Sequence, residues 1–283
     1  MNKKRLIIFI LCAIIPMLGI GLVMHFIAKE TFNITLSAAA MFIPLLSVVI
    51  TQLIFREPVL KGLGVSFKVN SCWIVGWLLM PVIALATLGV TLMMSGAVWN
   101  TDNEMLQMVL KSMPDGFGVW EIVAISIIGG LFTGTTVNAL FAFGEEVAWR
   151  GFLLKLFRGK RFLTVAFWVG LIWGFWHTPF VLNGHNFPQH PVVGVFMMIL
   201  FCMLFTPMLI YFRVKSGSVF VPAIMHGTYN AVAGISFIIV SPSSDLLYGS
   251  CGFASMIVLL LVDICIYLYD KCISKENIFT SII

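Results

Sequence analysis

The chain contains 283 residues, of which 60% are apolar and 10% are charged, and its mean hydropathy is +1.04. In soluble domains about a quarter of the residues are charged, so this composition excludes a soluble protein. The net charge of +5 does not indicate nucleic-acid binding, because the Lys and Arg residues form short groups between apolar segments rather than one basic face. The sequence predicts instead an all-α, polytopic membrane protein, with a single integral membrane domain over residues 1–283.

Eight apolar segments are long enough to be membrane spans, since about 20 helical residues cross a hydrocarbon core ~30 Å thick. The first follows Lys3, Lys4 and Arg5 and resembles a signal peptide. Its apolar run is long and no small-residue cleavage pattern follows His25, so we interpret it as a retained helix. The fourth is too long for one straight crossing. In chain order the segments are Leu6–Ala28, Ile34–Phe55, Cys72–Met94, Ile122–Phe157, Phe162–Leu182, Val192–Phe212, Ser218–Val240 and Leu247–Tyr269.

The basic residues predict the orientation of these spans. The cations ahead of the first segment place the N-terminus in the cytoplasm, and an even number of spans returns the C-terminus to the same side. The other loops agree with this orientation. Of all Lys and Arg residues, only Lys29 and Lys111 fall in the loops predicted to lie outside.

The fourth segment carries three ionisable residues within its apolar run: Glu145, Glu146 and Arg150. Such groups cost about 2.5–3.5 kcal/mol on insertion scales, so each is a candidate functional residue. Glu146 and Arg150 are four residues apart, with the carboxylate on the N-terminal side, which predicts an ion pair. Glu145 points about 100° away around the helix and is predicted to lack a cationic partner. The alternative is an interfacial charge network at a helix end.

Two later segments carry His177, and His226 with Asn230. His226 and Asn230 are four residues apart and project from one helical face, whereas a single His such as His177 is commonly a packing residue. At ~1.5 Å per residue from the predicted cytoplasmic helix ends, Glu145 lies ~15–20 Å deep, His226 ~12 Å and His177 ~24 Å. These overlapping depths predict one shared intramembrane site, open to the cytoplasmic side.

The order Glu-Glu-x-x-x-Arg, a later His, and His-x-x-x-Asn resembles the CPBP (Abi) family of intramembrane proteases. That family includes the eukaryotic CAAX prenyl endopeptidase, the Ras-converting enzyme, and bacterial proteins linked to bacteriocin self-immunity and peptide maturation. The resemblance covers about Ala142 to Val232, so residues 142–232 are predicted to be the motif-bearing catalytic core. One position departs from the usual Phe-x-x-x-His motif, since Trp173 precedes His177. Another large aromatic residue can fill that packing role.

The resemblance implies hydrolysis of a peptide bond in a membrane-associated, lipidated or apolar peptide, within the bilayer of a bacterial cell membrane. Glu145 in a low-dielectric cavity can be a general base and later a general acid, and His177 can orient the same water. His226 and Asn230 can donate hydrogen bonds to the oxyanion of the tetrahedral intermediate. Glu146 and Arg150 have a supporting role.

The sequence is compatible with two mechanisms, one that uses a metal ion and one that does not. Zn²⁺ held by His177, His226 and Glu145 would give the two-His-one-carboxylate set of many metallopeptidases. The sequence has no HExxH pair and Asn is a poor zinc ligand, so we favour a glutamate mechanism without a cofactor. His185 and His190 fall in a predicted outside loop, where loop polarity explains them better than a metal site.

Two non-enzymatic functions are the alternatives. One is a membrane immunity or scaffold protein of the same fold that acts by binding, without catalysis. The other is a proton-coupled transporter in which intramembrane Glu and His residues relay protons. Transporters commonly have paired repeats and broken spans in both halves, whereas the polar groups here cluster in the middle and C-terminal spans.

Overall fold

The computed structural model of the chain describes residues 2–26, 34–94, 98–99, 104–111, 113, 116–236, 240–241 and 244–283. Helices make up almost all regular structure in these ranges, which confirms the predicted all-α class. The strands among them are two residues long and antiparallel, β1 (Val98–Trp99) and β2 (Val240–Ser241). The α-helices are α1 (Lys3–Phe26), α2 (Ile34–Ala40), α3 (Ile43–Ile54), α4 (Ser71–Met93), α5 (Glu104–Lys111), α6 (Val119–Thr135), α7 (Val137–Glu146), α8 (Leu153–Leu156), α9 (Phe162–Trp176), α10 (Thr178–Leu182), α11 (Pro191–Ser216), α12 (Phe220–Val232) and α13 (Phe253–Tyr269).

The protein is an integral membrane protein, and its described helices differ in span length. Five are long and apolar enough to cross a membrane, and a sixth span results if Val119–Thr135 and Val137–Leu156, bent by 52°, are counted together. Helix α9 has 15 residues and α12 has 13. At 1.5 Å per residue, each falls short of a ~30 Å hydrocarbon core. The predicted count of eight spans is therefore not confirmed.

The bend between α6 and α7 accommodates α12, and two glycines allow the close approach. A Cβ atom on Gly134 would lie 2.4 Å from Thr228 Oγ1, and one on Gly227 would lie 2.6 Å from Ala139 N. Any larger residue at either position would force the helices apart. This contact places the last turn of α7, which bears the two glutamates, beside the middle of α12.

The loops predicted to be cytoplasmic meet at one end of the helix bundle. The loop after α3 contacts the α11–α12 connection, where Val219 N donates to Gly64 O at 2.8 Å. The C-terminal residues pair with the α8–α9 connection, where Ile283 N donates to Lys160 O at 3.0 Å. We call this part of the molecule, residues 55–70, 157–161, 213–219 and 270–283, the basic end.

Glu57 joins three elements at the basic end. Its carboxylate oxygens lie 2.5 Å from Arg5 Nη1 and 2.9 Å from Lys155 Nζ, and the three side chains are 21–28% exposed. The hydrogen bonds from Lys155 and Arg5 lower the pKa of Glu57 below its ordinary value of 4.5. Glu57 thus connects the start of α1 with the end of α8 through partly solvated ion pairs.

Candidate active site

A cavity of about 540 Å³ lies among α2, α7, α9, α11 and α12, within the ~300–1,000 Å³ range of ligand pockets. Glu145, His177, His226 and Asn230 all line it. The structure therefore brings together the polar residues of three separate segments, at one site inside the bundle. Asn138, Phe141, Trp173, Trp176 and Tyr229 are also among the lining residues.

Glu145 lies in the last turn of α7 and is only 2% exposed. Its Oε2 accepts hydrogen bonds from Trp149 Nε1 at 3.1 Å and Trp173 Nε1 at 2.7 Å. Within the described ranges, no cation forms a salt bridge with Glu145, and its Oε1 makes no hydrogen bond. One oxygen is thus held by two indoles, and the other is available to a molecule in the cavity.

Glu146 and Arg150 form the predicted ion pair, with Nη1 and Oε1 2.8 Å apart and both side chains fully buried. Arg150 Nη2 donates to Thr206 Oγ1 at 3.1 Å, and the guanidinium carbon lies 4.2 Å from the centre of the Trp173 ring. His226 Nδ1 lies 3.0 Å from the same Glu146 oxygen. This network differs from the alternative of an interfacial charge cluster, because both charges are fully buried.

The chain between α7 and α8 forms a π-helix, Val147–Phe152, and all six of its residues are buried. Single π-helical turns are rare and frequently occur at functional sites. Here the turn carries Trp149, which donates to Glu145, and Arg150, which donates to Glu146. The two neighbouring carboxylates therefore receive different partners from one short segment.

The two cavity histidines each use Nδ1 to contact the protein. His177 Nδ1 lies 2.9 Å from Trp173 O, and His226 Nδ1 lies 3.0 Å from Glu146 Oε1. A carbonyl or an ionised carboxylate can only accept, so each Nδ1 carries the hydrogen. Neither Nε2 has a hydrogen bond among the described residues. In a neutral ring, Nε2 is then the basic nitrogen that a bound molecule can reach.

Trp173 is a cavity residue for which the sequence predicts only a packing role. Besides donating to Glu145 and packing on Arg150, its ring lies 5.3 Å from the His226 ring and 5.7 Å from the His177 ring. The Phe of the usual family motif lacks an N–H donor. The indole N–H of a buried Trp normally donates a hydrogen bond, so a Trp at this position indicates a nearby polar acceptor.

The cavity extends away from the basic end. His185 and Asn186, just before α11, line it, and so does Ser250, just before α13. From Pro191, α11 runs through 26 residues toward the basic end, a rise of ~39 Å. These lining residues lie at the end of the bundle opposite the basic end, whereas the sequence predicts an opening on the side of the basic loops. His177 follows the last residue of α9, so it lies at the far end of that helix from the basic loops.

Among the neighbouring polar residues, His185 lines the cavity, whereas His190 and Asp245 are not part of its lining. His190 Nδ1 lies 2.6 Å from Asp245 Oδ1, while Gln189 N donates to Asp245 Oδ2 at 2.6 Å. Burial lowers the pKa of His185 to about 4, so its ring is neutral near pH 7. These contacts connect two loops next to the cavity and leave His190 with a structural partner.

The zinc alternative stays a prediction. Among the residues that the structure describes, no group of three or more His, Cys, Asp or Glu side chains is placed to hold a metal ion. His177, His226 and Glu145 nevertheless line one cavity, and each also directs one polar atom to a protein partner. The preference for a glutamate mechanism without a cofactor likewise stays a prediction.

Comparison with known proteins agrees with the motif analysis. Residues 120–232 match the family model described as type II CAAX prenyl endopeptidase Rce1-like, and a search of curated proteins found no match. The matched region contains α7 through α12 and all four polar residues of the cavity. Residues 120–232 are thus similar to the Rce1-like family of type II CAAX prenyl endopeptidases, which confirms the resemblance that the motifs indicate.

Proposed function

We propose that this protein is an intramembrane endopeptidase that hydrolyses a peptide bond in a membrane-associated, lipidated or apolar peptide. The observation that carries the proposal is the position of Glu145, a carboxylate without a cationic partner among the described residues, in one cavity with His177, His226 and Asn230. The match to a family of CAAX prenyl endopeptidases supports the same chemistry.

In this proposal Glu145 activates the attacking water. Its Oε1 takes a proton from the water while the water oxygen bonds to the carbonyl carbon of the substrate. His177 Nε2 accepts the second O–H and orients the water. The two indole hydrogen bonds to Oε2 restrict rotation of the carboxylate. When the C–N bond breaks, Glu145 returns the proton to the leaving amine, so it acts first as a base and then as an acid.

His226 and Asn230 stabilise the oxyanion of the tetrahedral intermediate. Because His226 Nδ1 donates to Glu146, its Nε2 can donate to an oxyanion only when the ring carries both hydrogens. In that form the negative charges of Glu145 and Glu146 are equal in number to the positive charges of Arg150 and His226. A donor directed at an oxyanion contributes ~2.7–4 kcal/mol in comparable sites.

The cavity lining favours an apolar substrate. Apolar pockets with few polar groups bind apolar ligands and use those polar groups to fix orientation. The aromatic residues that line this cavity are Phe141, Trp173, Trp176, Phe180, Phe201, Phe205 and Tyr229. A membrane segment or an apolar leader peptide presents the side chains that such a lining accommodates.

The test of the proposal is peptide cleavage by the purified protein after prolonged chelation. Glu145→Ala is expected to lower the cleavage rate by about 10²–10⁴ while the protein still accumulates in the membrane, because no ion pair is broken. Glu121→Ala, which removes an exposed carboxylate at the start of α6, is the matched control and should leave the rate unchanged.

Three outcomes would contradict this assignment in different ways. Full activity in Glu145→Ala excludes the glutamate as base. Activity that disappears on chelation and returns with added zinc supports the metal-dependent alternative. If no preparation cleaves any peptide while Glu145→Ala retains the cellular phenotype, the protein acts as a non-catalytic immunity or scaffold protein.

We further propose that the protein lies in a bacterial cell membrane with both termini and the basic end in the cytoplasm, as the positive-inside rule favours. The cavity then lies in the outer half of the membrane. A cysteine at Ser244 should react with an impermeant thiol reagent outside intact cells, and one at Ser66 should not, in a background without the six native cysteines. The reverse labelling pattern would place the cavity on the cytoplasmic side.

A further inference from the structure

Asn138 is a polar cavity residue that the mechanism does not use. It lies in the first turn of α7, partly buried, and lines the cavity together with Glu145. The two are seven positions apart, so they project from the same face of the helix, and Phe141 between them lines the cavity as well. One face of α7 thus forms a wall of the cavity, with a polar group near each end.

Part of the Asn138 amide is already bound by the protein. Its Nδ2 donates to Gly227 O at 3.3 Å, where the absence of a Cβ atom on Gly227 lets α7 and α12 approach closely. An Asn side chain has two N–H donors and a carbonyl oxygen with two acceptor sites. Within the described ranges, the second N–H and Oδ1 of Asn138 make no hydrogen bond. The bond to Gly227 fixes the amide, and the remaining groups are available in the cavity.

We propose that Asn138 binds the main chain of the substrate about three residues from the bond that is cut, and so holds the peptide extended along α7. This inference rests on the proposed function. Seven residues of helix rise ~10.5 Å, and an extended chain covers that distance in about three residues at ~3.3 Å each. Apolar side chains offer no hydrogen bonds, so the peptide groups are the polar part of such a substrate. Asn138 offers them both a donor and an acceptor.

The test measures peptide binding in the Glu145→Ala background, where no cleavage is needed. The probe is an apolar peptide and a series in which each backbone amide in turn is replaced by an ester, which removes one N–H donor. Asn138→Ala is expected to weaken binding of the parent peptide about 2- to 10-fold, the effect of one net hydrogen bond. In the protein that retains Asn138, an ester three residues from the scissile bond should weaken binding by the same factor. In Asn138→Ala, the same ester should cause no further loss of affinity.

Leu140→Ala is the matched control on α7, because this side chain is 59% exposed and does not line the cavity. It should bind every peptide as the parent protein does. In a cleavage assay, Asn138→Ala should raise KM with little change in kcat. Asn230→Ala should instead lower kcat by about 10²–10³, since an oxyanion donor acts mainly in the transition state.

The outcomes separate this inference from the proposed function. Equal binding by Asn138→Ala and the parent, or an equal loss for every ester in the series, overturns the inference, because Asn138 would then only connect α7 to α12. If the protein cleaves the peptide in that case, the proposed function stands. Another result is that the ester at one position and Asn138→Ala each weaken binding without an added effect when combined. If that result is obtained but no peptide is ever cleaved, Asn138 binds a peptide and the proposed function fails.

Discussion

Glu57 and Glu146 each contact two basic side chains, but they lie in different surroundings. Glu57, at the basic end, is 28% exposed and contacts cations from α1 and α8 that are also partly exposed. Glu146 is fully buried, and its partners Arg150 and His226 are 0% and 5% exposed. In both clusters one glutamate contacts two basic side chains, but only the Glu57 cluster is exposed to solvent.

This difference decides what each cluster contributes. When an exposed pair is broken, water solvates both charges, so such pairs are worth about 0–1 kcal/mol. When one partner of a buried pair is removed, the other charge remains in a low dielectric and the cost is about 3–5 kcal/mol. Glu146 therefore maintains one arrangement of α7, α11 and α12 around Glu145, whereas Glu57 connects elements whose positions other contacts already determine.

The largest expected loss of stability is that of Arg150→Ala, because this substitution leaves the buried carboxylate of Glu146 without its cation. The free energy of unfolding should fall by about 3–5 kcal/mol, and less folded protein should accumulate in the membrane. Denaturant unfolding of the purified protein and quantification of membrane fractions measure the two effects. Arg158→Ala, which removes an exposed cation at the basic end, is the matched control. Equal stability of the two variants would contradict the comparison.

An intermediate effect is expected for Trp173→Phe, which restores the aromatic residue of the usual family motif. The ring remains beneath Arg150, but the 2.7 Å hydrogen bond to Glu145 is lost. A hydrogen bond to a charged group contributes about 1.5–3 kcal/mol, so the loss of stability should be smaller than in Arg150→Ala. The same unfolding assay measures it, and Trp168→Phe, at an exposed position of α9, is the control. A loss as large as that of Arg150→Ala would show that packing of the larger ring dominates.

The buried cluster also shows what the sequence can predict. The Glu146–Arg150 pair follows from a spacing of four residues on one helix, and the same geometry keeps Arg150 from pairing with Glu145, which has no salt bridge within the described part of the chain. Both depend on local structure alone. The order and spacing of the motifs likewise indicated the resemblance that the family model confirms over residues 120–232, because residue types and their order are properties of the sequence.

The contacts between distant segments could not be predicted in the same way. His226 reaches Glu146 only because α12 packs into the α6–α7 bend at Gly134 and Gly227, and no local pattern specifies that packing. Hydropathy identified an apolar run from Ser218 to Val240, but the helix there ends at Val232 and is too short to cross the membrane alone. The direction in which the cavity extends depends on such helix ends, which a depth calculated from the predicted span ends does not include.

The smallest expected effect is that of Glu57→Ala, and its dependence on pH and salt distinguishes the two clusters. The free energy of unfolding should fall by no more than ~1 kcal/mol near neutral pH, because the three side chains are partly solvated. Exposed charges are also screened by salt, so the difference between this variant and the parent should shrink in about 1 M salt. The deficit of Arg150→Ala should persist there, since salt screens buried charges much less.

The sign of the pH effect follows from the lowered pKa of Glu57. A carboxylate with a folded-state pKa below its ordinary value of 4.5 stabilises the folded protein at pH values above 4.5. That contribution is lost as the pH falls through the folded-state pKa, where Arg5 and Lys155 no longer face a charged partner. Unfolding of the parent and of Glu57→Ala should therefore differ near neutral pH and converge in acid. A difference that stays constant through that range would mean that Glu57 stabilises the fold by packing, and the two clusters would then differ in more than their access to water.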